Sequence, residues 1–252
     1  MLSGDWSSDV CSSDLVDALV FFRNALSRAT SKERAVREAV ARFAEVRVRR
    51  TPKPKVAIFG DVYTRYNDVM NQGLIRTIED NGGEVVITPF SEYMMMVADP
   101  YIYKWFHEGC YSDAAIARLL KTVIPALEER YHRIFREVLD EPARRHRIDR
   151  DAILRQFVMD PLHTGESMEN LYKIFTLAEA HPDLSLFVQA NPAFCCPSLV
   201  TQAMSDRIES LTGIPVVTIE YDGIGGFKNE SVIPYLRFPR ERRVPDALRA
   251  AE

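Results

Sequence analysis

The stretch KVAIFGD, residues 55–61, decides the fold that the sequence predicts. It is a short apolar run that ends in Gly-Asp, which is typical of a buried strand followed by a turn. A polar loop (62–68), a helical pattern (70–81), two glycines and a second strand-like run, EVVITPF (84–90), come next. Strand, loop, helix and strand form a βαβ unit, and such a unit implies a parallel sheet.

The pattern returns in the second half of the chain. Helical spacing in 165–181 and 199–213 alternates with apolar, strand-like runs at 184–190 and 214–223. The chain from 55 to 240 is therefore predicted to be an α/β lobe, a Rossmann-like or flavodoxin-like open parallel sheet.

Helical segments surround the predicted sheet. A helical insert at about 112–160 separates the two α/β portions, with Pro125 predicting a kink or a break. Residues 16–54 form two predicted helices and a linker, and residues 241–252 form a basic tail.

Residues 1–15 are set apart from this fold. DWSSDVCSSDL, residues 5–15, resembles the translation of a sequencing adapter, although a genuine Ser/Asp linker is the alternative. Without residues 1–15, acidic residues fall from 36 to 33 while 32 basic residues remain, so the net charge changes from -4 to -1 over 237 residues. An adapter at this position means that the reading frame was cut there. We therefore expect this chain to be the C-terminal fragment of a longer protein.

Composition excludes several classes of protein. With 46% hydrophobic and 27% charged residues, the chain is able to bury a core. No apolar run approaches the roughly 20 residues that cross a bilayer, and the charge gives no basis for general nucleic-acid binding. Four cysteines are too few for a disulfide scaffold. We expect a cytoplasmic protein with neither a membrane nor a nucleic acid as partner.

The most informative motif is the loop NPAFCCPS, residues 191–198, between a predicted strand and a predicted helix. Pro197 favours the first helical turn, so Cys195 and Cys196 fall at a helix N-terminus, where backbone donors favour a thiolate. A thiolate serves as a metal ligand or as a nucleophile. The alternative is that both cysteines are small buried apolar residues.

The kind of metal follows from cysteine spacing. Structural zinc sites use paired Cys-x-x-Cys spacings, and none occurs here, whereas iron–sulfur clusters take cysteines from distant parts of a chain. Cys195, with one or two distant cysteines, fits a shared cluster better than a zinc finger. Cys110 is a weak further candidate, which packing alone explains about as well.

The same loop carries a family resemblance. NPAFCCPSLVTQAMSDRIESLTGIPVVTIEYDGIGGFKN, together with KVAIFGDVYTRYND and EVVITPFSEY, resembles the C-terminal region of the 2-hydroxyacyl-CoA dehydratase superfamily. More narrowly, it is similar to acyl-CoA dehydratase activase-related proteins, which combine dehydratase-like modules with an ATPase module. Related members have Cys-Met-Pro-Gly where this chain has Cys195, Cys196, Pro197 and Ser198.

The resemblance implies Rossmann-like lobes that hold a 4Fe-4S cluster, in some members a double-cubane cluster, between cysteines of different lobes. It implies an ATP-hydrolysing activase as partner, an acyl-CoA or another small molecule as substrate, and a dimer or multi-lobe assembly. The chain has no P-loop and no upstream cysteine lobe. We expect the full-length parent to be an enzyme, and this part alone not to be competent.

Two segments supply weak catalytic candidates. Tyr63 and Arg65 belong to the first loop at the predicted carboxyl edge, and His163 precedes a predicted helix start. A loop histidine bonded to the backbone explains His163 better than a catalytic role does.

The loop YDGIGGFKN, residues 221–229, supplies candidates for cofactor binding. The backbone amides of Gly223, Gly225 and Gly226 fit a site that cradles a phosphate or lines a cluster, and Lys228 adds positive charge. A plain sharp turn explains these glycines about as well.

A second hypothesis concerns the whole chain. It is a non-catalytic Rossmann-like lobe that docks an ATPase or a dehydratase subunit through the helical insert.

Overall fold

The structure is a computed structural model, and it describes residues 9–27, 31–45, 51–136, 149–160 and 166–240. Its centre is a sheet of four parallel strands. They are β1 (Lys55–Gly60), β2 (Glu84–Ile87), β3 (Leu184–Pro192) and β4 (Val216–Tyr221), in the spatial order β2-β1-β3-β4. Ile58 of β1 pairs with Ile87 on one side and with Val188 on the other. The predicted α/β fold with an open parallel sheet is confirmed.

Helices surround the sheet in chain order. In the described residues they are α1 (Asp9–Ser27), α2 (Lys32–Glu45), α3 (Val62–Tyr66), α4 (Leu74–Asp80), α5 (Phe90–His107), α6 (Tyr111–Phe135), α7 (Arg150–Gln156), α8 (Glu166–Ala180), α9 (Cys196–Ala203), α10 (Ser205–Thr212), a 3-10 helix (Lys228–Val232) and α11 (Ile233–Arg237).

Both faces of the sheet are covered, because parallel strands bury side chains on either side. Alternate residues of β1 enter two apolar clusters: Val56 and Ile58 pack with α4 and α11, whereas Ala57 and Phe59 pack with α7, α8 and α10. This two-sided core explains why β1 and β3 are nearly continuous apolar runs. At the edge, β4 alternates between buried and half-buried residues.

Several predicted elements differ in their bounds. The strand predicted for 84–90 ends at Ile87, because Pro89 is the N-cap of α5, a helix that the sequence analysis did not predict. The helix predicted for 199–213 is two helices that meet at Met204. Helix α6 continues through Pro125, so of the predicted kink or break, the break is wrong.

The loop predicted for 62–68 begins as the one-turn helix α3. The Asp61 carboxylate caps it, because Oδ1 accepts a hydrogen bond from the backbone N of Thr64 at 2.7 Å. The Asn71 amide donates to the carbonyl oxygens of Thr64 and Arg65 at 3.0 and 3.3 Å. These side chains supply the partners that a longer helix would find in its own backbone.

Two compact units divide the chain. The first comprises Met1–Pro52 and Thr122–Ala143, with a small core of Val36, Val40 and Ile134. The second comprises Lys53–Lys121 and Arg144–Glu252, and it contains the whole sheet. Helix α6 contributes to both units. Helix α1 begins at Asp9, inside the stretch that resembles an adapter, and that resemblance stays a prediction.

None of the helices within the described ranges combines the length and the apolarity that crossing a membrane requires.

Candidate functional site

The strand order creates a crevice between β1 and β3. The chain moves outward from β1 to β2 on one side and from β3 to β4 on the other, so the connections diverge at this pair. In open α/β sheets, ligands bind outside the carboxyl ends of the strands at such a switch point. The predicted loops 60–68, 191–198 and 221–229 follow β1, β3 and β4, and therefore start at one edge.

The two thiols of the NPAFCCPS loop lie beside this crevice. Cys195 is the N-cap of α9 and is partly exposed, while Cys196 is the first helical residue and is exposed. The backbone N of Cys195 donates to Pro192 O at 3.3 Å, and its carbonyl accepts from Ser198 and Leu199 at 3.0 Å. The Cys195 side chain makes no capping hydrogen bond. The alternative that both cysteines are small buried apolar residues is therefore wrong.

Cys110 occupies a different element. It precedes α6, is partly exposed, and donates its backbone N–H to Trp105 O at 2.8 Å. Within the part of the chain that the structure describes, no three His, Cys, Asp or Glu side chains come together as a metal site. The described residues therefore fit, at most, one edge of an iron–sulfur cluster, with the thiolates of a single loop.

The weak catalytic candidates differ in their surroundings. Tyr63 is exposed on α3, and Arg65, on the same helix, is fully buried. Only Tyr63 therefore presents its side chain to solvent. His163 lies outside the described residues.

The glycines of the loop after β4 are open to solvent. Gly223, Gly225 and Gly226 are all exposed, and a Cβ atom added to any of them would have nothing within 4 Å. Gly223 has φ of 78° and Gly226 has φ of 147°, so a plain turn accounts for both. The assignment of Gly223, Gly225 and Gly226 to cofactor binding stays a prediction.

Lys228 is held within the same loop. Its Nζ donates to Glu220 O at 3.1 Å and pairs with the Asp222 carboxylate at 2.5 Å. The Lys228 ammonium group, which was predicted to bind a phosphate, is thus already paired with Asp222. Binding of a phosphate by Lys228 would have to compete with Asp222.

A buried polar cluster at the same edge was not predicted. Glu169 and Lys173, one turn apart on α8, form an ion pair and are both fully buried. One turn earlier, Glu166 accepts a hydrogen bond from the hydroxyl of Tyr93 on α5 at 3.2 Å. Because α8 returns antiparallel to the strands, its first turns lie at the carboxyl edge.

Burial perturbs two groups of this cluster. Desolvation, followed by the negative charge of Asp61, raises the pKa of Glu166 above its ordinary value, against the opposing hydrogen bond from Tyr93. Desolvation and the charge of Glu166 raise the pKa of Tyr93 to about 12. A carboxyl group with a raised pKa beside a phenol is able to hold a proton near the crevice.

Asn191 joins the two sides of the crevice. Its Oδ1 accepts from the backbone N of Asp61 at 3.1 Å, and Asp61 N also lies 3.1 Å from Ala190 O. Gly60 makes this approach possible, since it has φ of 105° and its ideal Cβ would lie 2.5 Å from Asn191 Oδ1. The loops after β1 and β3 are thereby held at a fixed spacing.

Sequence reasoning missed Tyr93, Glu169, Lys173 and Asn191 as site residues. The only signal for the ion pair was the i,i+4 spacing of Glu169 and Lys173, which is equally typical of an exposed helix face. Asn191 carried no sequence signal beyond its place in the cysteine loop.

The chain matches no family model, no curated protein and no solved structure.

Proposed function

We propose that this chain is the C-terminal lobe of an iron–sulfur protein of the 2-hydroxyacyl-CoA dehydratase type, close to the activase-related proteins. In this proposal Cys195 supplies one thiolate ligand of a 4Fe-4S cluster, with Cys196 in reserve. The remaining ligands come from another lobe. The parent takes part in ATP-driven, low-potential electron transfer for acyl-CoA dehydration or a related reduction.

The position of Cys195 is the observation that carries this proposal. It starts α9 directly after β3, at the switch point, with its side chain not used as a cap. Cys195 starts a helix of eight residues, so its side chain lies at the positive end of the helix dipole, which suits a negatively charged cluster. The partial ligand set argues for a site shared between two lobes.

Each group near the crevice has a defined task in this proposal. A bound cluster would accept and donate single electrons, which is the chemistry that cysteine-ligated iron supplies. Cys195 binds, Asn191 fixes the spacing of the two loops, and the Glu166 carboxyl group with Tyr93 holds a proton. Tyr63 remains a weak candidate for contact with a substrate.

Anaerobic expression of the full-length gene tests the proposal. We expect a brown protein that contains iron and sulfide, and we expect Cys195→Ala to lose the colour and most of the iron. Cys110→Ala is the matched control, because Cys110 is a partly exposed cysteine of a different element, just before α6, and the variant should keep most of its iron. A colourless, iron-free full-length protein would contradict the proposal.

Exposed apolar side chains favour a second candidate, the non-catalytic docking lobe. Phe106 on α5 and Tyr111, Ile116 and Leu119 on α6 are all more than half exposed. The ring centroids of Phe106 and Tyr111 lie 5.5 Å apart, and exposed apolar patches mark interaction sites. Capture of a purified ATPase subunit by the full-length protein tests it. Capture that survives loss of Cys195 and Cys196 but fails in Ile116→Glu supports docking without a cluster.

A further inference from the structure

Arg65 is a buried cation that lacks a partner among the described residues. Its side chain is fully buried, and none of the three guanidinium nitrogens has a hydrogen-bond acceptor in the described structure. The guanidinium lies over the ring of Tyr66, 5.2 Å from the ring centroid. A cation–π contact recovers only part of the cost of removing a guanidinium from water. An unpaired buried guanidinium destabilises the fold unless a ligand supplies the missing acceptors.

The backbone around Arg65 is held firmly. Arg65 N donates to Asp61 O at 3.1 Å, and the Arg65 carbonyl accepts from the Asn71 amide. The Tyr66 hydroxyl donates to Thr88 O, just beyond the end of β2. Local structure thus satisfies these peptide groups of α3 and leaves the guanidinium unpaired. A fixed, unpaired donor is preorganised for a ligand.

A second unpaired donor lies at the same edge of the sheet. Asn191 is fully buried, and its Oδ1 is bound to Asp61 N, but its Nδ2 has no acceptor in the described residues. A ligand with oxygen atoms would supply acceptors for both the Arg65 guanidinium and Asn191 Nδ2. On the same short helix, Tyr63 is 63% and Tyr66 43% exposed, so α3 itself lies at the surface.

Three carboxyl groups at this edge oppose the binding of an anion. Glu169 is neutralised by its ion pair with Lys173. Burial raises the pKa of Glu166, so this carboxyl group keeps its proton to a higher pH than an exposed glutamate does. Asp61 directs Oδ1 to the backbone N of Thr64, which partly offsets its charge. The repulsion is thus weaker than the number of acidic residues suggests.

We propose that Arg65 anchors an oxyanion, the carboxylate or phosphate group of a small ligand that enters between the carboxyl ends of β1 and β3. The planar guanidinium suits both groups, since each presents two oxygens at matching spacing. This site does not depend on a cluster, so it is testable on the 252-residue chain in air.

Calorimetric titration with inorganic phosphate and, separately, with succinate tests this site at constant ionic strength. We expect saturable binding of at least one probe, weakened on the order of tenfold or more by Arg65→Lys and abolished by Arg65→Met. Arg76→Met, at an exposed arginine of α4, is the matched control and should bind like the wild type. The probe that binds identifies the ligand as a phosphate or a carboxylate.

Melting without any probe gives an independent readout. If Arg65 awaits a ligand, Arg65→Met removes an unpaired buried charge and melts no lower than the wild type. Three results would overturn the proposal: neither probe binds, Arg65→Lys binds as tightly as the wild type, or Arg65→Met unfolds without a probe. The last result would show that Arg65 already has a structural partner.

Discussion

At the scale of single residues, glycine and asparagine set the geometry of the crevice. Gly60 ends β1 with a positive φ and leaves room for the Asn191 amide. That contact brings the first turn after β1 within hydrogen-bond distance of β3. The spacing of the candidate site thus depends on one missing Cβ atom.

Replacing this glycine should be more costly than replacing a glycine with free space around it. In Gly60→Ala the Cβ would lie 2.5 Å from Asn191 Oδ1 and 2.6 Å from Ala190 O, in addition to the strain of φ at 105°. We expect a loss of more than about 2 kcal/mol in the free energy of unfolding, measured in urea.

Gly82→Ala is the control, because Gly82 has φ of 85° with nothing within 4 Å of the added Cβ. It should lose about 1 kcal/mol from strain alone. Equal losses in the two variants would show that the contact with Asn191 does not constrain the crevice.

At the scale of elements, α8 supplies several of the polar groups at the carboxyl edge. Its inner face packs on β1 and α9, and it buries Glu169, Asn170 and Lys173 as well as Leu171 and Ile174. Through its first residue, which accepts from the Tyr93 hydroxyl, the helix is also tied to α5. This single helix therefore connects the sheet, the cysteine-bearing helix and α5.

The pKa of Glu166 predicts how this connection depends on pH. The folded-state pKa is raised, so Glu166 costs no stability below the unfolded pKa of about 4.3 and destabilises the fold as pH rises through the folded-state value. Glu166→Gln removes the charge and keeps an acceptor for Tyr93. We expect the variant to match the wild type at about pH 4 and to exceed it above neutrality, by less than about 1 kcal/mol because Glu166 is half-exposed.

Urea unfolding between about pH 4 and 8 measures this difference. Glu230→Gln, at an exposed glutamate of the 3-10 helix, is the control for the effect of the substitution itself. A flat difference for Glu166→Gln would contradict the shift, and with it the idea that Glu166 holds a proton.

At the scale of the whole molecule, the sheet unit carries its own core. Both apolar clusters of the sheet consist of residues between Val56 and Leu236, and they cover its two faces. The N-terminal helices belong to the other unit, with a separate small cluster. The candidate site therefore lies on a unit whose apolar core draws on neither α1 nor α2.

Deleting residues 2–15 should accordingly leave the sheet unit intact. We expect the hydrogen-exchange protection of the amides in β1 and β3 to change by no more than about 0.5 kcal/mol, the range typical of changes away from a core. The undeleted 252-residue chain is the control. A large loss of protection in both strands would show that the adapter-like segment contributes to the native fold.

The extent to which the sequence predicted the structure differs between fold and site. The fold was predictable because apolar runs and helical spacing report directly on burial, and KVAIFGD and LSLFVQA both form strands. Helix α5 was missed, because Pro89 and Pro100 and a mixed composition obscure its period. Helix α3 was missed because side chains, rather than backbone, satisfy its ends.

The sequence by itself determined an α/β sheet whose cysteine loop begins a helix, because periodicity, glycine and proline act over a few residues. Only the tertiary structure decided which polar groups are buried at the crevice. Charged residues are usually exposed, but Glu169, Lys173 and Arg65 are buried here. Their burial depends on which helix covers which strand. That information comes from contacts between residues far apart in the chain, such as Asp61 and Asn191.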